Sequence, residues 1–238
     1  MHDNICGIDA VIVGAGSGTR LGHSIPKAFV PLAGQPILYY SLNTFCSHPL
    51  IGSVILVVSE DMIDQANITV NENKIFIDKV KITAGGDERW KSVRNGISCS
   101  NSKWALIHDA ARPFVSHEVI DSVLGKRDEF ECVITATPEV DTIRTIEGDR
   151  CGVTVDRSKL LRVGTPQLFK RELLVLSFEQ VEKMVVPPTD EAALIESLGI
   201  AVGYSWGDPI NFKITTKSDL KIAEALLEKN QQVQLGRG

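Results

Sequence analysis

The chain has 238 residues, a formal net charge of −5 and 43% hydrophobic residues. This length and composition predict one domain with a substantial core, because α/β domains of about 200 to 250 residues are common. The negative net charge argues against non-specific binding to nucleic acids or membrane surfaces. We expect a soluble, cytoplasmic protein, since no apolar run approaches the roughly 20 residues of a membrane span and the N-terminus does not resemble a secretory leader.

The cysteines point to a reducing compartment. There are five of them, an odd number, at positions 6, 46, 99, 132 and 151. They lack any C-x-x-C spacing and lie in apolar contexts, which is typical of reduced structural thiols. The sequence therefore predicts no zinc site.

The first predicted strand ends in a glycine-rich loop. The apolar run 10–13 is typical of a buried parallel strand, and glycines follow at positions 14, 16, 18 and 22. Bare N–H groups in such a loop form a concave anion site, and Arg20 and Lys27 add full positive charges. The pattern predicts a polyphosphate site, and the alternative is a glycine-rich turn with two solvated cations.

Two familiar phosphate-binding motifs do not fit this loop. The dinucleotide fingerprint needs Gly or Ala where the chain has Thr19 or Leu21. The P-loop needs a lysine directly after its last glycine, but Gly22 is followed by His23. An NAD-linked oxidoreductase is therefore disfavoured.

The next predicted elements alternate between helices and strands. We expect a helix beginning near Pro36, a strand at 53–58, short helices within 61–79 and a strand at 80–83. Buried strands separated by helices predict a parallel sheet, so the fold class is α/β.

A second glycine-rich stretch, 84–86, precedes a helix predicted to run through Ile97. Ligands of open parallel sheets bind beyond the carboxyl ends of the strands. We therefore expect Gly86, Asp87 and Ser92 to face the same crevice as the first loop, where they can read the edge of a nucleobase. The alternative is an ordinary helix start with acidic residues.

The predicted strand 104–108 delivers Asp109 to the same edge of the sheet. A carboxylate there is suited to Mg²⁺ on bound phosphates, and the alternative is a plain helix cap. We interpret His108 as structural, because hard cations prefer oxygen ligands. Arg112 is expected either to pair with a phosphate or to stack on the fold.

An interruption of the alternation follows the predicted strand 132–137. Segments around 142–146 and 151–155 flank a turn at 147–150, which predicts a β-hairpin. A lone hairpin is marginally stable, so either the main sheet or a second subunit must cover it. We favour a second subunit.

The C-terminal third completes the prediction with helices and strands of ordinary length. We expect a loop at 164–167, a helix at 170–181, a helix capped by Thr189 and stopped by Gly199, a strand pair at 201–206 and 211–215, and a closing helix from 218 to about 229.

Motifs along nearly the whole chain resemble, in order, the 2-C-methyl-D-erythritol 4-phosphate cytidylyltransferase family of the non-mevalonate isoprenoid pathway. They are GAGSGTRLG with PK, GGDERWKSV, HDAARP, VDR, TPQLF, TDEAAL and NFKIT. The resemblance implies a Rossmann-like nucleotidyltransferase fold with a mostly parallel twisted sheet flanked by helices. It also implies CTP and Mg²⁺ as requirements, pyrophosphate as second product, and a homodimer joined by a hairpin arm at about 138–157.

The resemblance implies positions for nucleotide and metal binding. The residues that would hold or line the nucleotide site are Gly14, Ala15, Gly16, Gly18, Arg20, Lys27, Gly86, Asp87, Ser92 and Ala110. Asp109 would bind the metal. The first loop departs from the Pro-Ala-Ala-Gly common in the family, because it begins Val13-Gly14-Ala15-Gly16.

The resemblance also implies an acceptor site. The residues that would line it are Arg112, Thr165, Thr189 and Lys213, together with Thr142 and Arg157 from the arm of the neighbouring subunit. A phosphomonoester is largely dianionic at neutral pH, so no general base is required. The catalytic residues would be Arg20, Lys27 and Lys213, with the two lysines bracketing the transition state.

Two alternatives remain besides the disfavoured oxidoreductase. Ribitol-5-phosphate cytidylyltransferase is a relative with the same loop, metal and base, and the DAARP motif favours methylerythritol phosphate over it. A catalytically silent nucleotide-binding protein is the other, and the presence of Lys27, Asp109 and Lys213 speaks against it.

Overall fold

The computed structural model describes residues 7–16, 18, 25–181 and 189–235, in which helices cover both faces of a central sheet. The strands are β1 Ile8–Val13, β2 Pro31–Leu32, β3 Gln35–Pro36, β4 Val54–Val58, β5 Val80–Ala84, β6 Trp104–Asp109, β7 Cys132–Pro138, β8 Ile143–Glu147, β9 Arg150–Val155, β10 Leu161–Lys170 and β11 Val202–Trp206. The helices are α1 Ile37–Ser47, α2 Ile63–Asn71, α3 Lys74–Lys79, α4 Arg89–Ser98, α5 His117–Leu124, α6 Arg171–Val181, α7 Glu191–Ser197 and α8 Lys217–Leu235.

The central sheet has seven strands in the order β11-β7-β10-β6-β1-β4-β5. Among the strands in the described ranges, only β10 runs antiparallel to its neighbours in this sheet, so the predicted mostly parallel α/β sheet is confirmed. Val13 lies beside Val57 on one side and Asp109 on the other. The register therefore brings the carboxyl ends of β1 and β6 to one edge.

Alternation along β1 supplies side chains to two cores, because successive residues of a strand point to opposite faces. Ile12 packs in one cluster with Phe45 of α1, whereas Val11 packs in the other with Val93 of α4. All four side chains are fully buried or nearly so. Both faces of the strand must be apolar for this, which explains its continuous hydrophobic run.

The predicted hairpin is confirmed as β8 and β9, which pair only with each other in the described part of the chain. Its surface is open: Ile146 is 85% exposed and Val153 is 68% exposed. The described chain leaves these two apolar side chains in contact with solvent, so they contribute little hydrophobic free energy to its folding.

The loop predicted at 164–167 is wrong, because these residues belong to β10. They lie between β6 and β7, with an irregular register between Gly164 and Gln167. The irregularity accommodates Pro166, which has no N–H for the ladder. Gly164 and Pro166 therefore indicate a bulge within a strand rather than a loop.

The predicted strand at 211–215 is also wrong. Asp208 accepts a hydrogen bond from the N–H of Ile210 at 2.9 Å, which closes a turn after β11. The chain then crosses the sheet edge, where the N–H of Ile214 donates to the carbonyl of Ala111 at 2.9 Å. Asp208 thus shapes this turn, and the crossing carries Lys213 to the edge of the sheet.

The cap of α7 differs by one residue from the prediction. Asp190, rather than Thr189, accepts a hydrogen bond from the N–H of Ala193 at 3.2 Å. A carboxylate is favoured at this position by the positive end of the helix. Gly199 follows the helix with φ +77°, as predicted for a stop.

None of the helices in the described ranges is long and apolar enough to cross a membrane. Cys46, Cys99, Cys132 and Cys151 are free. Cys46 and Cys132 are buried, as expected of structural thiols, whereas Cys99 and Cys151 are exposed and the prediction of an apolar context is wrong for them. Cys6 lies outside the described residues.

Candidate active site

The ends of β1, β5 and β6, the 3-10 turn Lys27–Phe29 and the crossing segment that carries Lys213 enclose a cavity of about 400 Å³ at the carboxyl edge of the sheet. Its wall combines small residues with opposite charges. The lining residues are Val13, Gly14, Ala15, Gly16, Lys27, Ala28, Gly86, Asp87, Glu88, Arg89, Ser92, Asp109, Ala110, Ala111 and Lys213.

Glycines let the two loops of the cavity approach each other. A Cβ on Gly85 would collide with Ala15 and with the hydroxyl of Ser92. Gly18 has φ +65°, and a Cβ there would collide with Lys27. Backbone contact at these points is possible only without a side chain, so both glycines fix the shape of the site.

Ser92 organises the second loop from inside. Its side chain is buried, its Oγ accepts a hydrogen bond from the N–H of Gly86 at 3.1 Å, and its hydroxyl lies 3.2 Å from the carbonyl of Glu88. Asp87 instead points outward and forms an ion pair with Lys91 at 2.7 Å, and this hydrogen bond lowers the pKa of Asp87. The loop is therefore held by its own polar groups.

Asp109 lies at the centre of a charge network on the cavity wall. Its Oδ2 accepts from Lys213 Nζ at 2.7 Å, and its Oδ1 accepts from Arg89 Nε at 3.2 Å. Burial raises the pKa of the Asp109 carboxyl, but Arg89 and Lys213 outweigh burial and hold the pKa well below its usual range. Asp109 is therefore ionised at neutral pH.

Arg89 continues the network away from the cavity. Its Nη1 lies 2.7 Å and 2.5 Å from the two carboxylate oxygens of Glu191, which is only 1% exposed. Burial raises the pKa of the Glu191 carboxyl, and the charge of Arg89 opposes that rise. A buried carboxylate of this kind requires such a partner.

The backbone behind Asp109 is also fixed. The N–H of Asp109 donates to Thr165 Oγ1 at 3.1 Å, and Thr165 Oγ1 lies 3.0 Å from His108 Nδ1. The carbonyl of Arg112 can only accept, so His108 carries its proton on Nε2 and donates it to that carbonyl at 3.1 Å. In the neutral ring Nδ1 then accepts a hydrogen bond from the Thr165 hydroxyl. Burial lowers the pKa of His108 to about 3, so the imidazole is neutral.

A second cavity of about 370 Å³ lies on the other side of Lys213. Lys213 borders both cavities, and Arg112 and Arg162 add positive charge to the second one. Burial lowers the pKa of Arg112, and the charges of Arg89 and Arg162 lower it further. Asp208 and Asp219 line the same cavity, so its three cations exceed its carboxylates by one charge. The excess of positive charge suits a small anionic ligand.

The family model described as 2-C-methyl-D-erythritol 4-phosphate cytidylyltransferase matches residues 8–229. The chain belongs to this family. A cytidylyltransferase of that name from Clostridium botulinum is 37% identical over 93% of this chain and 100% of its own length. One from Syntrophus aciditrophicus is 35% identical over 93% of this chain and 96% of its own length.

Solved structures of the family agree with the fold. 4-Diphosphocytidyl-2C-methyl-D-erythritol synthase from Anaerococcus prevotii superposes with a TM-score of 0.82 at 28% identity, covering 93% of this chain and 96% of that one. The cytidylyltransferase from Thermus thermophilus gives a TM-score of 0.76 at 28% identity, covering 92% of this chain and 98% of that one. The predicted Rossmann-like nucleotidyltransferase fold is confirmed.

Most residues that the family resemblance assigned to the nucleotide line the first cavity. They are Gly14, Ala15, Gly16, Lys27, Gly86, Asp87, Ser92 and Ala110, together with the candidate metal ligand Asp109. Lys213, which was assigned to the acceptor, lines both cavities. Gly18 does not line the cavity but lies against Lys27, so closely that a Cβ at this position would collide with the lysine. Arg20 lies outside the described residues.

The residues assigned to the acceptor are more scattered. Arg112 lines the second cavity, whereas Thr165 is buried against Asp109 and lines neither cavity. Thr189 is exposed and lines neither cavity. Thr142 and Arg157 are exposed on the arm, where Arg157 donates a hydrogen bond to the carbonyl of Val140.

Sequence reasoning missed Arg89 and Glu191 as parts of the site. Both stand at the start of a helix. The first start was interpreted as a base-reading loop or an ordinary helix start, and the second as a helix capped by Thr189, so neither interpretation used Arg89 or Glu191. They are 102 positions apart, so no local pattern indicates their pairing. The one sequence feature that could have indicated the pair is Arg89 itself, a cation that follows the glycine-rich end of a strand and had no assigned role.

The donor set at Asp109 fits a magnesium ion carried by substrate phosphates. In the described ranges no cluster of three or more His, Cys, Asp or Glu side chains could hold a metal ion. Mg²⁺ bound to a nucleotide needs only one or two protein carboxylates, because phosphate oxygens and water supply the other ligands. The ionised carboxylate of Asp109 on the cavity wall meets that requirement.

Proposed function

We propose that the chain is a cytidylyltransferase that joins CTP to 2-C-methyl-D-erythritol 4-phosphate and gives 4-diphosphocytidyl-2-C-methyl-D-erythritol and pyrophosphate, in the non-mevalonate isoprenoid pathway. One observation carries the proposal: in a member of this family, Lys27, Lys213 and Asp109 converge on a glycine-lined cavity at the carboxyl edge of the sheet. Ligands of open α/β sheets bind at this edge.

The two cavities divide the substrates between them in this proposal. CTP occupies the first cavity, and the acceptor reaches it from the second cavity past Lys213, which borders both. An acceptor phosphate oxygen attacks the α-phosphorus of CTP. The bond from that phosphorus to the oxygen bridging to the β-phosphate then breaks, and pyrophosphate leaves with the electron pair.

The chain supplies charge and position rather than a base. The acceptor phosphate is largely dianionic at neutral pH and needs no deprotonation. Lys27 and Lys213 stabilise the charge that builds up around the α-phosphate, and the N–H groups of the first loop hold the departing phosphates. Mg²⁺, held through Asp109, neutralises part of the triphosphate charge when it is bound.

We also propose a homodimer in which each arm completes the acceptor site of its partner. Thr142 and Arg157 line neither cavity of their own chain, so their implied role requires a second subunit. The exposed Ile146 and Val153 supply apolar surface for it. A cytoplasmic location stays a prediction.

Pyrophosphate release tests the proposed function. The protein is incubated with CTP and Mg²⁺ and either 2-C-methyl-D-erythritol 4-phosphate or ribitol 5-phosphate. We expect rapid release with the first acceptor and little with the second; the reverse result would establish the ribitol enzyme instead. Release with neither acceptor, combined with thermal stabilisation by CTP, would indicate a silent nucleotide-binding protein.

A further inference from the structure

Glu191 is a buried acidic residue that reaches the active site only through another side chain. It is the first residue of α7, is 1% exposed and lines neither cavity. Asp190, not Glu191, caps this helix. A second carboxylate at this point is therefore not needed to begin the helix.

The hydrogen bonds of Arg89 show what Glu191 holds. A guanidinium group has five N–H donors in a fixed plane. Nη1 faces both oxygens of Glu191, while Nε and Nη2 each lie 3.2 Å from Asp109 Oδ1. These contacts engage three or four of the five N–H donors of Arg89 and leave one or two for a ligand.

This arrangement directs Arg89 to Asp109 instead of to a triphosphate. Arg89 borders the first cavity, and a guanidinium there would otherwise pair with phosphate oxygens in bidentate fashion. Glu191 occupies one edge of the guanidinium and offsets part of the positive charge that Arg89, Lys213 and Arg112 place around Asp109. The Asp109 carboxylate is thereby fixed in one orientation.

We propose that Glu191 is a positioning residue, which acts through Arg89 to hold the Asp109 carboxylate where the magnesium ion of CTP binds. The inference rests on the proposed function. It assigns Arg89 to the support of the metal ligand rather than to bidentate phosphate binding.

The test compares CTP binding with and without Mg²⁺ by isothermal titration calorimetry, alongside steady-state kinetics. Glu191→Gln keeps the size of the side chain and removes its charge. We expect kcat to fall about 10- to 100-fold, as is typical when a partner of a metal ligand is lost. We also expect the ratio of CTP affinities with and without Mg²⁺ to shrink toward that of Asp109→Asn, with little change in affinity without the metal.

Two further variants sharpen the result. Arg89→Lys keeps the charge but cannot hold both carboxylates, so it should lose the same metal dependence, and the double variant should be little worse than either single one. Glu131→Gln is the matched control, since Glu131 pairs with Lys170 outside both cavities. This control should behave as wild type.

The outcomes separate three explanations. If Glu191 only stabilises the fold, Glu191→Gln lowers the melting temperature while the ratio of affinities and kcat stay unchanged, which would overturn the proposal. If Arg89 binds phosphate directly, Arg89→Lys weakens CTP binding equally with and without Mg²⁺, which would also overturn it. If Glu191→Gln does not fold, the metal dependence of CTP binding by Arg89→Lys tests the proposal instead. If the wild-type protein is inactive, the proposed function is refuted, and this result is distinct from a failure of the role of Glu191.

Discussion

The active-site edge of the sheet and the hairpin arm differ in how completely one chain positions their side chains. At the edge, Asp109 is bonded to Lys213 and Arg89, and its side chain is only 10% exposed. On the arm, Arg157 is exposed and is anchored to the carbonyl of Val140. The edge is thus preorganised within the chain, whereas the proposed role of the arm requires a second surface.

The physical reason is the cost of ordering charged side chains. A buried charge must find partners in its own fold, and the network of Asp109 satisfies that condition. Exposed long side chains lose rotamer freedom only when a partner binds them. Substitutions at the edge should therefore damage chemistry in each subunit, while substitutions on the arm should damage assembly or the neighbouring site.

The largest expected effect concerns Lys27 at the edge. Lys27→Ala should lower kcat about 100-fold or more, as is typical when one preorganised charge contact to the transition state is removed. The measurement is the rate of pyrophosphate release at saturating substrates. Lys221→Ala is the control, because Lys221 is exposed on α8 and lines neither cavity. Near-normal turnover of Lys27→Ala would defeat the assignment.

The next effect concerns assembly through the arm. Ile146→Asp places a charge on a side chain that the proposed dimer buries, so the dimer dissociation constant should rise about 10- to 100-fold. Analytical ultracentrifugation measures this constant directly. Thr145→Asp adds the same charge on the opposite face of the strand and should weaken the dimer less. A wild-type monomer at all concentrations would refute the role of the arm.

A smaller effect is expected for Arg157. Arg157→Ala should lower kcat/KM for the acceptor roughly 10-fold, which corresponds to one lost hydrogen bond to a charged group. The dimer itself should persist.

Mixed subunits reveal whether Arg157 acts on its own site or on that of its neighbour. Refolding Lys27→Ala together with Arg157→Ala gives some dimers with one intact site if the arm acts across the interface, and about a quarter of wild-type activity should return by random pairing. If the arm serves its own chain, both subunits stay defective, and the mixture shows only the residual activity of its Arg157→Ala subunits.

The strands that are buried on both faces were the most predictable elements of the fold. Continuous apolar runs predicted β1, β4 and β6, because strands buried on both faces leave a plain hydrophobic signal. Turn residues predicted the hairpin. The strand β10 escaped detection because Gly164 and Pro166 mark both loops and bulges, and only the neighbouring strands decide between them.

The site was predictable where its residues follow strand ends. Asp109 ends β6 and Gly86 follows the edge strand β5 by two residues, so the parallel topology places both at the carboxyl edge of the sheet. Glu191 was not predictable in this way, because its partner Arg89 is distant in the sequence and both fit a helix start. Lys213 lies at the edge of the sheet on an irregular segment. Only the family resemblance, and no local pattern, indicated that Lys213 belongs to the site.

The smallest expected effect is a pH dependence of stability that arises beside the site. The folded state keeps His108 neutral down to a pKa of about 3, whereas an unfolded histidine binds a proton below about pH 6.5. The contribution of His108 to the free energy of unfolding is therefore fully present above pH 6.5. It falls as the pH is lowered, by at most roughly 1.4 kcal/mol per pH unit for this one proton. Burial also lowers the pKa of His48, which adds a slope of the same sign.

Urea unfolding between pH 7 and pH 5 measures this slope. In His108→Gln the free energy of unfolding should be lower at every pH, because two buried hydrogen bonds are disturbed, but its slope with pH should be smaller than that of wild type. An unchanged slope would show that His108 becomes protonated without unfolding. The Thr165 hydroxyl could then no longer donate to it, and the support of the Asp109 backbone would differ from the one described above.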